Sequence, residues 1–296
     1  MNNQSPIVSV LLPVYNCELY IGEAIESILK QTFEDFELII INDASNDNTD
    51  TIIKNFLSDP RVRYYKNEEN LQLIRTLNKG LNYCNGKYIA RMDADDIALP
   101  SRLQEQVSFL DNETDYVLVG CEYKTFGQKL RVIRLPHSDF DCRSALLTCS
   151  PFCHPGVMFR RTTIEENKIR YNDSYQHVED YKFFFDLSRF GKVANLNSIL
   201  LYYRIHSNQI TMNFSNEQMQ KRFILIDEIN GGIEQSFEYL LLKNERDNKI
   251  TKYFLKGYLE VISYFKVRCT YKMLKIILSK GRVVDILKFA IRKISK

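Results

Sequence analysis

Several features that define common classes of protein are missing from this sequence of 296 residues. No Gly-x-Gly-x-x-Gly follows the first strand-like run, and no loop ends in Gly-Lys-Ser or Gly-Lys-Thr, which argues against dinucleotide oxidoreductases and phosphate-loop ATPases. A Gly-x-Ser-x-Gly elbow, typical of many serine hydrolases, is also missing. Tryptophan is absent, and no stretch reaches the roughly 18 apolar residues that a membrane-spanning helix needs.

The N-terminus and the cysteines lack the marks of a secreted protein. Residues 1–6 have no basic start or apolar segment of a secretory signal, so a cytoplasmic location is expected. The seven cysteines are odd in number and irregularly spaced, which does not suggest a disulfide framework. Cys149, Cys153 and His154 cluster, but no second tight couple of ligands completes a zinc site, so buried free thiols are the preferred interpretation.

Charge is distributed unevenly along the chain. Residues 249–296 hold thirteen Lys or Arg against Glu260 and Asp285, a local balance of +11. Since the whole chain carries +3, residues 1–248 carry −8. The basic residues are mixed with apolar ones, which predicts amphipathic helices that lie on the anionic inner face of the cell membrane. The alternative is a helical bundle with solvated charges; nucleic acid is a less favoured partner because no binding motif accompanies the charge.

The first half of the chain alternates between buried strands and amphipathic helices. This alternation predicts right-handed crossovers and an α/β fold with a mostly parallel sheet flanked by helices. From about residue 216 onward helical patterning dominates, so we expect a catalytic domain at 1–213 and a basic helical region at 214–296. Strands are predicted at 7–12, 36–41, 61–65, 88–92, 116–119, 123–135, 156–159 and 193–204, and later helices at 139–148 and 179–190.

Three polar clusters follow predicted strands, where an open parallel sheet binds its ligands. Pro13-Val14-Tyr15-Asn16 follows the first strand, Asn42-Asp43 the second, and Asp93-Ala94-Asp95-Asp96 the fourth. Sheet topology is expected to bring all three clusters to one edge.

The acidic cluster is the most informative of the three. Three carboxylates in four residues repel one another unless a cation neutralises them. In extended backbone Asp93 and Asp95 point the same way, and oxygen ligands of this kind suit Mg²⁺ or Mn²⁺. Helix capping near Ser101 is the alternative, but it accounts for one aspartate rather than three.

Two further acidic positions are ambiguous from residue type alone. Asp43 could accept hydrogen bonds from a ribose or base, or it could cap the next helix. Glu179 and Asp180 open a predicted helix, where the helix dipole favours carboxylates, yet a base for a sugar hydroxyl would also be a carboxylate on such a rim.

These segments, taken in order, resemble the family 2 inverting glycosyltransferases of the GT-A fold, of the bacterial cell-surface polysaccharide type. The resemblance covers about residues 6–212. Its individual motifs are short, but their order and spacing are specific. It rests on residues 10–16, 39–47, 93–96 with Pro100, Arg102 and Leu103, and on 154–161, 179–181 and 203–206.

The resemblance implies a nucleotide site and a donor. Tyr15 and Asn16, together with Pro13, would border the base, and Asp43 would contact the uracil or ribose. Ala94 and Arg102 are assigned to the same nucleotide site. The family usually has two acids after the second strand, and this chain has Asn42-Asp43. The second acid, which is the one expected to hold the nucleoside, is therefore retained.

The resemblance also implies the cation and the chemistry. Asp93 and Asp95 would form the Asp-x-Asp signature for Mn²⁺ or Mg²⁺, with Asp95 the more direct ligand and His206 near the metal or diphosphate. Asp180 would be the catalytic base, supported by Glu179. The implied reaction moves a hexose or N-acetylhexosamine, with inversion, from a nucleotide sugar (by default a UDP-sugar) to a glycan or lipid-linked acceptor in cell-surface polysaccharide synthesis.

Two other classes of protein remain in competition. One is another magnesium-dependent enzyme, such as a sugar nucleotidyltransferase or a paired-aspartate phosphatase. The first would show a glycine-rich basic loop after strand one, and the second would place its aspartates after the first strand rather than the fourth. The other is a nucleotide-sugar-binding module without catalysis, which would lack a base at Asp180.

Overall fold

A computed structural model describes residues 5–147, 149–206 and 215–230. The strands are β1 (Val8–Val14), β2 (Phe36–Asn42), β3 (Val62–Lys66), β4 (Tyr88–Arg91), β5 (Ile97–Ala98), β6 (Tyr116–Gly127), β7 (Arg131–Ile133), β8 (Met158–Arg160) and β9 (Lys192–Ile205). The helices are α1 (Ile21–Leu29), α2 (Thr49–Lys54), α3 (Gln72–Leu81), α4 (Arg102–Asn112), α5 (Asp139–Leu146), α6 (Arg161–Glu166), α7 (Glu179–Ser188) and α8 (Ser215–Asn230).

The strands form one mixed sheet in the order β3-β2-β1-β4-β8-β6-β9-β5, with β7 paired to β6. Strands β3, β2, β1 and β4 are parallel, as are β6 and β9, while β5, β7 and β8 pair antiparallel. The predicted mixed, mostly parallel sheet flanked by helices is therefore confirmed. Every residue of β1 and β2 is buried, because helices cover both faces of the sheet.

The first strand continues through Pro13, where the sequence predicted that it would end. The Leu11 carbonyl accepts from Met92 on the β4 side, so the nitrogen of Pro13 faces the same way. Pairing with β4 stops at Leu11, and no ladder bond is therefore lost to the proline ring. Strand β1 consequently reaches Val14, and the polar loop that follows starts two residues later than the sequence indicated.

The predicted strand at 123–135 is interrupted by a turn. Gly127 has φ +82, and a Cβ there would lie 2.7 Å from the Ile205 carbonyl oxygen. The chain reverses and returns as β7, while β6 extends back as one strand to Tyr116. The two-residue strand β5 and the short helix α6 had no sequence signal long enough to predict them.

Apolar layers pack on each side of the sheet, and the C-terminal region begins against one of them. Ile21 and Ile25 of α1 belong to one layer, while Phe183 of α7 belongs to the other. Leu225 and Ile226 of α8 are buried in the layer that contains α7. The expected boundary at 213/214 and the basic segment 249–296 lie outside the described residues. Within the described ranges, no helix is both long and apolar enough to cross a membrane.

Candidate metal and nucleotide site

The carboxyl ends of β1, β2 and β4 bring the three polar clusters to one edge of the sheet. Strand β1 lies between β2 and β4, so Asp43 and Asp93 follow strands two positions apart. At the usual spacing between strands this separates the two strand ends by roughly 10 Å, a span that a nucleoside diphosphate can bridge.

The acidic loop after β4 converges on one point. Asp93, Asp95 and Asp96 can each offer one carboxylate oxygen such that these atoms all lie within 4.8 Å of one another. Asp93 and Asp95 are half-buried, whereas Asp96 is buried. His206 joins them from the end of β9, its Nε2 lying 2.9 Å from Oδ2 of Asp95. The predicted metal residues are therefore neighbours in space.

Electrostatics within this cluster disfavour three negative charges. Burial, and next the charge of Asp93, raise the pKa of Asp95, and the same two causes raise the pKa of Asp96 well above its usual range. Oδ2 of Asp96 is buried and has no hydrogen-bond partner within the described part of the chain. Hard oxygen donors with excess negative charge fit a divalent cation such as Mn²⁺ or Mg²⁺.

Arg91, which the sequence prediction did not single out, supplies a positive charge to this site. Its guanidinium is almost fully buried and forms an ion pair with Asp93. Its Nε and Nη1 atoms have no hydrogen-bond partner among the described residues. A basic residue at the end of an otherwise apolar strand was the available signal, because a buried arginine needs a nearby anion.

Glu179 and Asp180 begin α7 close to the acidic cluster. Glu179 is buried, with Oε2 lacking a partner in the described ranges, while Asp180 is half-buried and its Oδ1 accepts from its neighbour Tyr181 N. Burial raises the pKa of Glu179 to about 7 and that of Asp180 to about 6. Arg91 lowers both pKa values and Asp93 raises that of Asp180, so the two halves of the site influence each other.

The nucleotide side is built from two loops that hold each other. The Asn16 N–H donates to Ser45 Oγ at 2.9 Å, and Asn16 Oδ1 accepts from Asn46 N at 2.9 Å. Asn16 takes a positive φ of 47, which asparagine tolerates better than most residues. Beside it, the side chain of Tyr15 is 46% exposed, which leaves its ring available for stacking. The loop geometry therefore presents an aromatic ring at the end of β1.

Asp43 is more enclosed than a simple surface acceptor. It is 3% exposed, and its Oδ1 accepts from Asn67 Nδ2 at 2.7 Å and from Leu71 N at 2.8 Å. These bonds fix the carboxylate relative to the start of α3. Asn42 stands in place of the first acid of the usual pair. Its Oδ1 accepts from Ser45 N, and its Nδ2 donates to Tyr64 OH.

Three residues predicted at the nucleotide have buried side chains. Pro13 is buried within β1, and Ala94 is buried with its carbonyl accepting from Cys17 Sγ. Arg102 is fully buried, and its Nη2 donates to the carbonyls of Arg91 and Val157. Contact of their side chains with a nucleotide is not favoured by this burial, and their assignment to the nucleotide site stays a prediction. Arg102 instead ties α4 to the strand that carries the acidic loop.

Comparison with known proteins identifies a family for this chain. The family model described as Glycosyl transferase family 2 matches residues 9–183. An uncharacterized glycosyltransferase of Haemophilus influenzae is 36% identical over 229 residues, which cover 72% of this chain and 70% of that protein.

Two solved structures share the fold at low sequence identity. S. aureus TarS 1-349 in complex with UDP-GlcNAc is 19% identical with a TM-score of 0.63, covering 86% of this chain and 80% of that one. The mannosyltransferase PcManGT from Pyrobaculum calidifontis, in complex with GDP-Man and Mn²⁺, is 16% identical with a TM-score of 0.59, covering 93% and 74%.

Proposed function

The chain belongs to glycosyl transferase family 2 and is a glycosyltransferase of the GT-A fold, and we propose that it moves a hexose or N-acetylhexosamine from a UDP-sugar, with inversion. The observation that carries this proposal is the convergence of Asp93, Asp95 and His206 at the sheet edge that also presents Asp43, with Asp180 near enough for Arg91 and Asp93 to shift its pKa. A glycan or lipid-linked acceptor in cell-surface polysaccharide synthesis completes the proposed reaction.

The nucleotide is proposed to lie across the ends of β1 and β2. The ring of Tyr15 stacks on the base, Asn16 lies beside it, and Asp43 accepts from the base or the ribose. UDP is proposed because TarS, which shares the fold, was solved with UDP-GlcNAc. The alternative to UDP is a purine nucleotide, since PcManGT was solved with GDP-Man.

Asp93, Asp95 and His206 are proposed to hold Mn²⁺ or Mg²⁺ next to the diphosphate. When bound, the cation neutralises negative charge that develops on the departing diphosphate. Asp96 supports the loop, because its Oδ1 accepts the Arg204 backbone N–H at 2.9 Å. Arg91 keeps Asp93 in place through the buried ion pair.

Asp180 is proposed to take the proton of the acceptor hydroxyl. The freed oxygen attacks the anomeric carbon from the face opposite the diphosphate, the bond from that carbon to the diphosphate oxygen breaks, and the configuration inverts in one displacement. Half-burial leaves Asp180 reachable by a hydroxyl, whereas Glu179 is buried behind it. Glu179 supports the base because its pKa of about 7 keeps it partly protonated up to neutral pH, which lowers repulsion beside Asp180.

A panel of nucleotide sugars tests the proposal. With Mn²⁺ present, the matching donor should release free nucleotide slowly alone and faster when acceptor is added. A binding module without catalysis would bind the same donor and release nothing, and a nucleotidyltransferase or phosphatase would act on the panel without acceptor dependence. Release by no donor in the panel would contradict the proposed reaction.

The two-domain division and the membrane contact of the C-terminal region stay proposals. Helix α8 packs on the catalytic domain through Leu225 and Ile226, so the region proposed at 214–296 begins as part of the same body. The basic segment 249–296 is proposed to lie on an anionic membrane at the cytoplasmic face. Truncation after Asn248 should shift the protein from the membrane pellet to the supernatant, and unchanged fractionation would refute this.

A further inference from the structure

The β6–β7 hairpin carries an exposed patch that the transfer reaction does not use. At its turn Leu130 is 70% exposed, and Val132 on β7 is 44% exposed. Lys129 and Arg131 flank Leu130 and are exposed as well. We define residues 129–132 as the hairpin tip; it combines two large apolar side chains with two cations.

Among the residues that the structure describes, no acidic side chain forms an ion pair with the tip. Residues 123–134 contain no Asp or Glu, while Lys124 and Arg134 add two further cations. Arg134 pairs with the buried Glu122 at the base of the hairpin. Lys129 and Arg131 have no ion pair within the described part of the chain. An exposed leucine between two cations without ion pairs is complementary to an anionic bilayer. The phosphate groups would pair with the cations, and the boundary of the acyl chains would receive the leucine.

The tip is held rigidly rather than fraying. Thr125 Oγ1 accepts from Arg131 N at 2.9 Å across the hairpin. The Gln128 N–H donates to the Ile205 carbonyl at 3.1 Å, and Gly127 lies opposite Ile205 in the β6–β9 register. His206, which contacts Asp95, is the next residue along that strand. The hairpin therefore rises from the rim of the acidic site.

We propose that the hairpin tip docks on the anionic surface of a lipid bilayer and so places the mouth of the site at the membrane. RNA is a poorer match, because single strands bind by stacking on exposed aromatic rings. The nearby Phe126 is instead half-buried, with the Arg204 guanidinium 4.4 Å from its ring centroid. The docking itself does not depend on the proposed function. Its consequence rests on that function: a lipid-linked acceptor would reach the site without leaving the bilayer.

The absence of tryptophan makes the tip directly observable. In Leu130→Trp the new indole is the only one in the chain. Vesicles of phosphatidylcholine with phosphatidylglycerol should shift its emission to the blue, and lipids with brominated acyl chains should quench it. Leu57→Trp, at an exposed position 43% open to solvent near α2 at the opposite end of the sheet, is the matched control and should show neither change.

A charge variant measures the same contact without a probe. Each cation near an anionic surface is worth about a fivefold change in affinity. Lys129→Gln/Leu130→Ser/Arg131→Gln should therefore weaken vesicle binding of the full chain at least about 25-fold. The control Lys54→Gln/Leu57→Ser/Lys66→Gln removes two cations and a leucine at the α2–β3 corner, where both lysines pair with Asp50, and should change binding much less.

Several outcomes would overturn the docking proposal. They are an indole at position 130 that stays in water while the protein pellets with vesicles, absence of any vesicle binding, and an equal shift with RNA in place of lipid. Equal loss in the two triple variants would also contradict it. Failure of the proposed function is distinguishable, because vesicle docking is measured without donor or acceptor.

Discussion

The imidazole Nε2 of His206 lies 2.9 Å from Oδ2 of Asp95, although 111 residues separate the two in sequence. Arg204, two residues earlier, donates its backbone N–H to Asp96 and its Nε to the Asp95 carbonyl, both within 2.9 Å. The end of β9 therefore clamps the acidic loop from outside the segment that carries it. If the acidic loop holds the donor as proposed, donor binding should depend on this strand as well as on the loop.

Removing a carboxylate from the acidic loop should stabilise the metal-free protein while abolishing cation binding. The pKa of Asp95 is raised by burial and by Asp93, so folding disfavours its ionised form. We expect Asp95→Asn to raise the free energy of unfolding at pH 8, with no gain below pH ~4 where the unfolded acid is protonated. Calorimetry in chelator, followed by Mn²⁺ titration, measures both effects.

Asp50 provides a control of opposite sign. Hydrogen bonds from Tyr64 and Lys54 lower its pKa to about 2, so folding favours its ionised form. Asp50→Asn should therefore lower the melting temperature at pH 8 and leave Mn²⁺ binding unchanged. A destabilised Asp95→Asn protein would show that the acidic loop is not under electrostatic strain.

The pH dependence of transfer should follow Asp180. Its pKa is raised to about 6 by burial, and a base must be ionised to accept a proton. At saturating donor, the rate is expected to fall as pH drops through about 6 and to reach a plateau above it. A rate that stays level between pH 5 and 8 would argue against Asp180 as the base.

Glu179 should affect stability in the reverse sense to an ordinary salt-bridged acid. Burial raises its pKa to about 7, so the fold favours its protonated form, and the resulting stabilisation is present below its unfolded pKa and lost as pH rises towards 7. Glu179→Gln should therefore be more stable than the wild type by about 1–3 kcal/mol at pH 8 and nearly equal to it at pH 4. Denaturant titrations at the two pH values provide the comparison, and equal differences at both would rule out the mechanism.

The stability of the protein should depend more on the positive charge at position 91 than on the shape of the side chain. Arg91→Met removes the buried partner of Asp93; since Asp93 is itself half-buried, the loss of stability should be less than the about 3–5 kcal/mol that breaking a fully buried ion pair costs. Arg91→Lys keeps the charge and should retain a larger part of the stability. If the methionine variant were as stable as the lysine variant, the ion pair with Asp93 would not matter to the fold.

Regular elements were predictable because their signals are local. The continuous apolar runs of β1 and β2 and the helical spacing of α1 and α3 each reflect burial that the segment itself encodes. The turn at Gly127 was missed because its positive φ depends on the approach of Ile205, which is distant in sequence.

The roles of the site residues were harder to predict, because they depend on contacts between segments that are distant in sequence. The acidic loop could be recognised because its charge density needs an explanation wherever it lies. The burial of Arg102 was not predicted because its position in a motif gives no measure of burial, whereas the fold directs its guanidinium to backbone carbonyls. Arg91 was overlooked because its burial and its proximity to α7 arise only in the folded chain, although its partner Asp93 is two residues away in sequence.

The most direct test of the proposed mechanism is donor binding measured in chelator-treated protein, with and without Mn²⁺, for Asp95→Asn and Asp180→Asn side by side. Asp180→Asn should bind the UDP-sugar with near wild-type, Mn²⁺-dependent affinity and yet transfer nothing to the acceptor. Asp95→Asn should lose the Mn²⁺-dependent part of binding. Retention of Mn²⁺-dependent donor binding by Asp95→Asn, or near wild-type turnover by Asp180→Asn, would contradict the assignment of cation and base.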